Sequence, residues 1–250
     1  MTRDVEEHLP GNLGGVFRLG NRVHRPVGYW TPAVHALLKY LEGRLQLIPR
    51  VHGMDDQGRE VLDFLPGEVV TTPMSLTELQ LISLVTWTRE FHDAVSGFSH
   101  GGPWRSFPMP TPTEPRAAFI GHNDLAPYNS CFLGDELAGI FDWDLAGPTT
   151  AVNELAFIAW NCVPLCRPIE PRLAAARLQT IAETYGAYDA EQILLGVAPR
   201  IRTMLKGIPS AASAGDPGMK SLMTQGEPER SRASLKDLEK RIPHIRAHFR

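Results

Sequence analysis

The stretch Gly121-His122-Asn123-Asp124-Leu125-Ala126-Pro127-Tyr128-Asn129 decides the reading, together with Asp142-Trp143-Asp144 thirteen residues beyond Asn129. Between the two, residues 130–133, the turn Gly134-Asp135-Glu136 and residues 137–141 read as a short hairpin. Such a hairpin would carry Asp142 back to the neighbourhood of Asn129. The bland alternative is a loop whose Asp and Asn merely cap turns, as those residues commonly do.

The order His-x-Asp, then Asn after four intervening residues, then an Asp-aromatic pair at a strand end resembles that of a kinase catalytic loop, whose task is phosphoryl transfer from a nucleoside triphosphate. One carboxylate orients the attacking hydroxyl and takes its proton, while an amide oxygen and a second carboxylate hold a divalent cation against the phosphates. Two other readings fit less well. A haloacid-dehalogenase-like phosphatase would start on an Asp-x-Asp followed two residues later by Thr or Val, but Ala146 stands there and the motif comes late. His92-Asp93 could suggest a metal-dependent phosphohydrolase. It sits on a long helical stretch without partner histidines, so packing under the catalytic loop is the simpler role.

Working outward, residues 16–19 and 22–25 read as strands joined by the two-residue turn Gly20-Asn21, preceded by the glycine-rich loop 11–15. Thr31-Pro32 reads as an N-cap followed by proline at the first helical position. Val34, Leu37, Leu38 and Leu41 then recur at helical spacing, and Gly43 closes the helix. Residues 50–53 and 60–64 make two further strands around an acidic turn. Ser75 with Glu78 reads as a capping box for a long helix over 76–95. A proline-rich loop fills 101–115, and amphipathic helices dominate from Asn153 onward. Strands give way to helices near Pro66-Gly67, which puts the expected lobe boundary at 67, with lobes 1–67 and 68–250.

The 250 residues carry a net charge of −3, which favours neither a nucleic-acid nor a membrane-surface partner. No apolar run approaches a membrane span and the N-terminus is too acidic for a signal peptide, so a cytoplasmic protein is expected. Residues 1–150 hold 11 basic and 18 acidic side chains, residues 151–250 hold 14 and 10; the parts are therefore −7 and +4. The positive second part argues against a polycationic acceptor. Cys131, Cys162 and Cys166 read as reduced thiols, the last two as packing residues one helical turn apart.

The matching stretches HNDLAPYN, IFDWDLAGP and NELAFIAW, with VLDFLPGE and FHDA upstream, resemble the aminoglycoside phosphotransferase and choline kinase-like family over roughly residues 11–165. Within it, VHRPVGYWTPAVHALLKYLE with GREVLDFLPGE is most similar to short bacterial members labelled trifolitoxin-immunity-like. The resemblance implies an α+β, protein-kinase-like bilobal fold with a small antiparallel-sheet first lobe and a mainly helical second lobe. It implies ATP (or another nucleoside triphosphate) and Mg2+ as cofactors, and a small hydroxylated molecule as acceptor. By the same resemblance Asp124 is the catalytic base, His122 braces its loop, and Asn129 and Asp142 hold the metal. The backbone of Asp63, Phe64 and Leu65 meets the base of the nucleotide, and Gly14 and Gly15 lie over its phosphates.

One departure stands out. The family uses a strand lysine paired with a glutamate on the next helix, yet the only lysine before residue 206 is Lys39, off the apolar helix face. Arg25 occupies the strand position. The helix offers Glu42 only at its last turn, with His35 where the acid is expected. Either Arg25 clamps the nucleotide without a carboxylate to orient it, or the chain is a non-catalytic kinase-like binding, immunity or resistance module. An exposed strand-end charge is the bland reading of Arg25.

Overall fold

The computed structural model describes residues 6–9, 14–71, 76–107 and 118–249. Five short strands, β1 (Glu7–His8), β2 (Phe17–Leu19), β3 (Arg22–Arg25), β4 (Val51–Met54) and β5 (Glu60–Asp63), form an antiparallel sheet in the order β1-β2-β3-β5-β4. The Gly20-Asn21 turn joins β2 to β3 as expected, Gly20 supplying the positive φ of 60°. The β3–β5 register sets Arg22 opposite Asp63 and Arg25 opposite Glu60. Directly opposed residues of an antiparallel pair project to the same face.

Between β3 and β4 runs α1 (Thr31–Leu41), which buries Val34, Leu37, Leu38 and Leu41. Its cap differs from the expectation. Trp30 holds the N-cap position and Thr31 is already helical, its hydroxyl accepting the Gly28 N–H at 3.0 Å instead of capping the helix. Gly43, at φ 76°, does end the helix one residue past the C-cap Glu42.

The rest of the chain holds six more α-helices and two small sheets among the described residues. Helix α2 (Glu78–Val95) is opened by a capping box of Thr77 with Gln80, not by Ser75, which lies outside the described residues; Glu78 takes the first helical position. Strand β6 (Glu68–Val69) pairs with β8 (Ser130–Leu133), which pairs with β9 (Glu136–Ile140). Strand β7 (Phe119–Gly121) pairs with β10 (Gly147–Thr149). The remaining helices are α3 (Ala151–Cys162), α4 (Pro171–Tyr185), α5 (Ala190–Ser213), α6 (Pro217–Thr224) and α7 (Glu227–Arg246). The hairpin read between Asn129 and Asp142 is thus present as β8 and β9.

A single apolar core runs from Leu37, Leu38 and Leu41 of α1 through Trp87 and Phe91 of α2 to Trp143, Leu155 and Ile158. Each such side chain contributes about 1.5–3 kcal/mol by leaving water. Two polar contacts tie the first sheet's connector to this core: Trp87 Nε1–H donates to the Gln46 carbonyl (2.9 Å) and the Ile140 N–H donates to Leu47 (2.9 Å). The second anchors the end of β9, two residues before Asp142. Cys162 is buried and Cys166 partly so, both as free thiols pushed up in pKa by burial.

Candidate active site

The loop from β7 to β8 and the end of β9 meet at one place, because two small ladders bracket them. Gly121 ends β7, and a Cβ there would crowd Thr149 Cγ2 and stand 2.7 Å from Glu154 Oε2, so only glycine lets β7 reach β10. The next residues bend sharply. Asn123 is left-handed at φ 64° and so is Asp142 at φ 58°. A non-glycine residue is disfavoured there, which Asn and Asp offset best through local hydrogen bonds.

The strain at Asn123 is held by buried partners. Its N–H donates to Glu154 Oε1 at 2.6 Å, its Nδ2 donates to the Gly147 carbonyl at 3.0 Å, and its own carbonyl accepts Arg200 Nη2–H at 2.7 Å. Glu154 also accepts from His92 Nε2 (2.7 Å), while Tyr185 Oη lies 2.8 Å from His92 Nδ1. Burial would raise the Glu154 carboxyl, but His92 and the Asn123 N–H outweigh it and hold it below its ordinary value. His92 therefore does pack under the loop of residues 121–129, through Glu154, as its place at the end of α2 suggests. Arg200 is 3% exposed, and burial lowers its pKa from the ordinary value.

His122 is fully buried and spans the two halves of the site. Its Nδ1 accepts the Asp124 N–H at 3.3 Å and its Nε2–H donates to the Phe141 carbonyl at 3.1 Å. Burial depresses its pKa, so the neutral tautomer with the proton on Nε2 fits both bonds. One imidazole thereby sets the distance between the backbone of Asp124 and the residue preceding Asp142.

Asp124 is gripped from two sides. Asn129 Nδ2 donates to its Oδ2 (2.8 Å) and to its carbonyl (3.0 Å), and the Tyr128 hydroxyl donates to its Oδ1 (2.9 Å). Burial and the nearby Asp142 charge raise the Asp124 carboxyl to about 7, against the opposing pull of Tyr128, Arg200 and Asn129. Because the Asn129 nitrogen is committed to Asp124, its Oδ1 is the atom left to meet a cation. Asp142 is 47% exposed at its side chain, with its backbone turned outward by the left-handed residue. One amide oxygen and one carboxylate are hard donors of the kind that would suit Mg2+. Among the described residues no group of three or more His, Cys, Asp or Glu forms a metal cage.

Arg25 is not an exposed strand-end charge. Its side chain is 13% exposed, with Nε 3.2 Å from Glu60, Nη1 3.5 Å from Asp142 and Nη2 2.5 Å from Asp144. Burial opposes its charge, but the carboxylates of Asp144, Asp142 and Glu60 prevail and raise its pKa, so it stays cationic. A carboxylate orienter is therefore present, contrary to the expectation that it would be missing. It comes from the neighbouring strand, through the Arg25–Glu60 register, and not from α1. His35 of α1 contacts Glu60 at 2.7 Å, so His35 fills the place of the helix acid by bracing one. Arg105 extends the network: it clamps Asp216 with two bonds of 2.7 and 2.8 Å, lies 3.6 Å from Asp144, and stacks over Trp30.

The residues expected to meet a nucleotide are placed less uniformly. Gly15 lies against Pro26, the neighbour of Arg25, whereas Gly14 has open space around it; residues 11–13 of the same loop lie outside the described residues. In residues 63–65, the connector that leaves β5, the Asp63 N–H donates to the Arg50 carbonyl and the Phe64 N–H to the Asn21 carbonyl, which leaves the Leu65 N–H as the open donor of these three among the described residues. The Asp63 carboxylate faces away from the connector, toward Arg22, His52 and the Arg50 N–H. The sequence alone marks neither Glu60, Tyr128 nor Arg200, and it offers Glu154 as a candidate acceptor-pocket acid, whereas the structure sets it on His92 and the Asn123 N–H. The β3–β5 register could have shown Glu60; the others needed the folded loop.

Residues 104–190 match the model of the phosphotransferase enzyme family APH. A trifolitoxin immunity protein of Rhizobium leguminosarum bv. trifolii is 34% identical over 155 residues, covering 60% of this chain and 59% of that protein. Among solved structures, the GDP complex of aminoglycoside 2'-phosphotransferase-IIIa superposes with a TM-score of 0.60 at 14% identity, covering 95% of this chain and 94% of that one. Amicoumacin kinase hAmiN in complex with AMP-PNP, Ca2+ and Ami gives 0.61 at 14% identity, with 93% and 88% covered. A choline/ethanolamine kinase family protein from Mesorhizobium loti gives 0.58 at 15%, with 97% and 92% covered. The fold is kinase-like, and the resemblance read from the sequence stands, including its trifolitoxin-immunity-like placement.

Proposed function

We propose that this chain is an ATP-dependent phosphotransferase that moves the γ-phosphate to a hydroxyl of a small molecule, with a nucleotide lobe over 1–67 and a catalytic lobe over 68–250. The observation that carries this reading is the convergence of Asp124, Asn129 and Asp142, from two separate loops, with Arg25 bridging to Asp142 from the first sheet. Asp124 takes the proton of the acceptor hydroxyl as its oxygen attacks the γ-phosphorus and the bond to the β-phosphate oxygen breaks, releasing ADP. A carboxyl raised to about 7 is matched to that task. Asn129 and Asp142 would hold Mg2+, which supplies charge neutralisation at the phosphates when bound. Arg25 presents a planar, permanently charged fork to the same phosphates, where the usual lysine offers a point charge. The Leu65 N–H is the connector's donor for the base, with Asp63 and Phe64 shaping that edge and Gly14 and Gly15 lying over the phosphates.

Residues 151–250, the part against which the acceptor is expected to lie, carry 14 basic and 10 acidic side chains, a balance of +4. This favours a neutral or anionic acceptor over a polycation. The test couples ADP formation to pools of hydroxylated metabolites and antibiotics, alongside Mg2+-dependent ATP binding. Turnover lost in Asp124→Asn and Mg2+-dependent ATP binding lost in Asp142→Ala support the reading; ATP binding that ignores Mg2+ and Asp142 sinks it. A second reading, a non-catalytic immunity or resistance module, is favoured by the trifolitoxin immunity relative and by an Arg25 already committed to three carboxylates. Nucleotide binding without turnover of any acceptor would select it.

A further inference from the structure

Tyr128 lies one residue before Asn129, and its ring is half-exposed, yet its hydroxyl points inward and donates to Asp124 Oδ1 at 2.9 Å. Asn129 already occupies Oδ2. Thus each oxygen of the carboxylate has a protein donor, and the one on Oδ1 is a hydroxyl, the same group that an acceptor would present. The two contacts differ in kind. Asn129 is 4% exposed, with its amide also tied to the Asp124 carbonyl. Tyr128 is attached at the surface and, among the described residues, its hydroxyl holds only this bond.

We infer that Tyr128 is a placeholder on the general base: its phenol occupies the acceptor-hydroxyl position on Asp124 and keeps water from reacting there until an acceptor arrives. This rests on the phosphotransferase reading above. Water is the competitor every kinase faces, since it carries a hydroxyl and is abundant. If water reaches Asp124, its oxygen attacks the γ-phosphorus, Asp124 takes one proton, and the bond to the β-phosphate oxygen breaks. ATP and water then become ADP, inorganic phosphate and a proton, with no acceptor modified. A tyrosine at the edge of the site suits the role: its ring can swing outward, and an arriving hydroxyl replaces like with like at Oδ1.

Removing only the phenolic oxygen leaves a gap of one water beside a carboxylate oxygen that has lost its donor, and such a gap fills with water. Tyr128→Phe therefore carries the opposite expectation to an ordinary structural lesion, which would slow every reaction. The experiment needs no knowledge of the acceptor. ADP release from Mg2+-ATP is followed without acceptor for the unaltered chain, for Tyr128→Phe, and for Tyr128→Phe combined with Asp124→Asn. ATP binding and thermal melting are measured on each protein. The expected result is a roughly 10-fold rise in acceptor-free hydrolysis in Tyr128→Phe, a fraction of what a positioned base contributes, with the rise abolished by Asp124→Asn. Tyr128→Leu, which also removes the ring, is expected to hydrolyse at least as fast as Tyr128→Phe, so the outcome does not hang on one variant. Hydrolysis unchanged or reduced in both Tyr128 variants while ATP still binds overturns the placeholder and leaves the phosphotransferase reading intact. Transfer of phosphate to Tyr128 itself, seen as a mass gain of one phosphate in the unaltered chain, also overturns it, because the phenol would then be an acceptor and not a guard. Absence of Mg2+-ATP binding in every protein overturns both readings together.

Discussion

Replacing Arg25 tests whether the network around it holds the fold together. Its guanidinium faces three carboxylates, but they differ in weight. Asp142 is half-exposed, and a contact of 3.5 Å to a solvated group contributes little. Glu60 and Asp144 are buried, at 3.2 and 2.5 Å. A single pair at 3.2 Å attracts by about 5 kcal/mol at an effective dielectric near 20, most of it spent on desolvation. Stranding one partner of a buried pair costs about 3–5 kcal/mol. His35 on Glu60 and Arg105 near Asp144 soften the loss, so Arg25→Met is expected to cost about 3 kcal/mol. Arg25→Lys keeps the charge but has one nitrogen, which cannot serve Glu60 and Asp144 with separate donors, and about 1–2 kcal/mol is expected to go. Urea unfolding at neutral pH reads both values from the midpoint, the slope serving as a check that the denatured state is unchanged. Repeating it in about 0.5 M salt should alter the differences little, because buried pairs are poorly screened. Arg25→Met within about 1 kcal/mol of the parent, or Arg25→Lys indistinguishable from it, would refute the reasoning.

Glu154→Gln should destabilise the chain by about 1–3 kcal/mol at pH 7 by weakening its hold on His92 and Asn123. The Glu154 carboxyl is held below its ordinary 4.5, so its contribution is complete above that pH and fades as pH falls through the lower folded value. The deficit, followed by unfolding midpoints from pH 7 to 3, should therefore narrow in acid. Asp142→Gly relieves a left-handed residue while loosening the unfolded chain, so stability should stay within about 1 kcal/mol; Mg2+-dependent nucleotide binding, measured by calorimetry, should disappear. Gly121→Ala pushes a methyl against Thr149 and to within 2.7 Å of the Glu154 carboxylate. About 1–3 kcal/mol should be lost from the thermal unfolding balance, with activity falling further because β7 leads directly into His122.

Much of the architecture was legible because it depends on local signals. Helical spacing in 34–41, the Gly20-Asn21 turn and the hairpin between Asn129 and Asp142 are near-neighbour patterns, and their elements formed where the patterns lie. Caps were less legible: Thr31 and Ser75 have the right chemistry, but Trp30 and Thr77 hold the positions. A cap is decided by which residue the incoming chain leaves outside the helix, and that depends on packing of the preceding segment.

The sequence by itself determined the set of candidate reacting groups, since His122, Asp124, Asn129 and Asp142 follow one another at spacings that a short loop and a hairpin convert directly into proximity. What surrounds them was decided only in three dimensions. Arg25 meets Glu60 because β3 and β5 align, and meets Asp144 because the first sheet docks against the end of β9. Arg200 reaches the loop from 77 residues away, and Glu154 from 31. Such partners leave no mark in local spacing, because burial and charge select them only after the core has brought distant segments together.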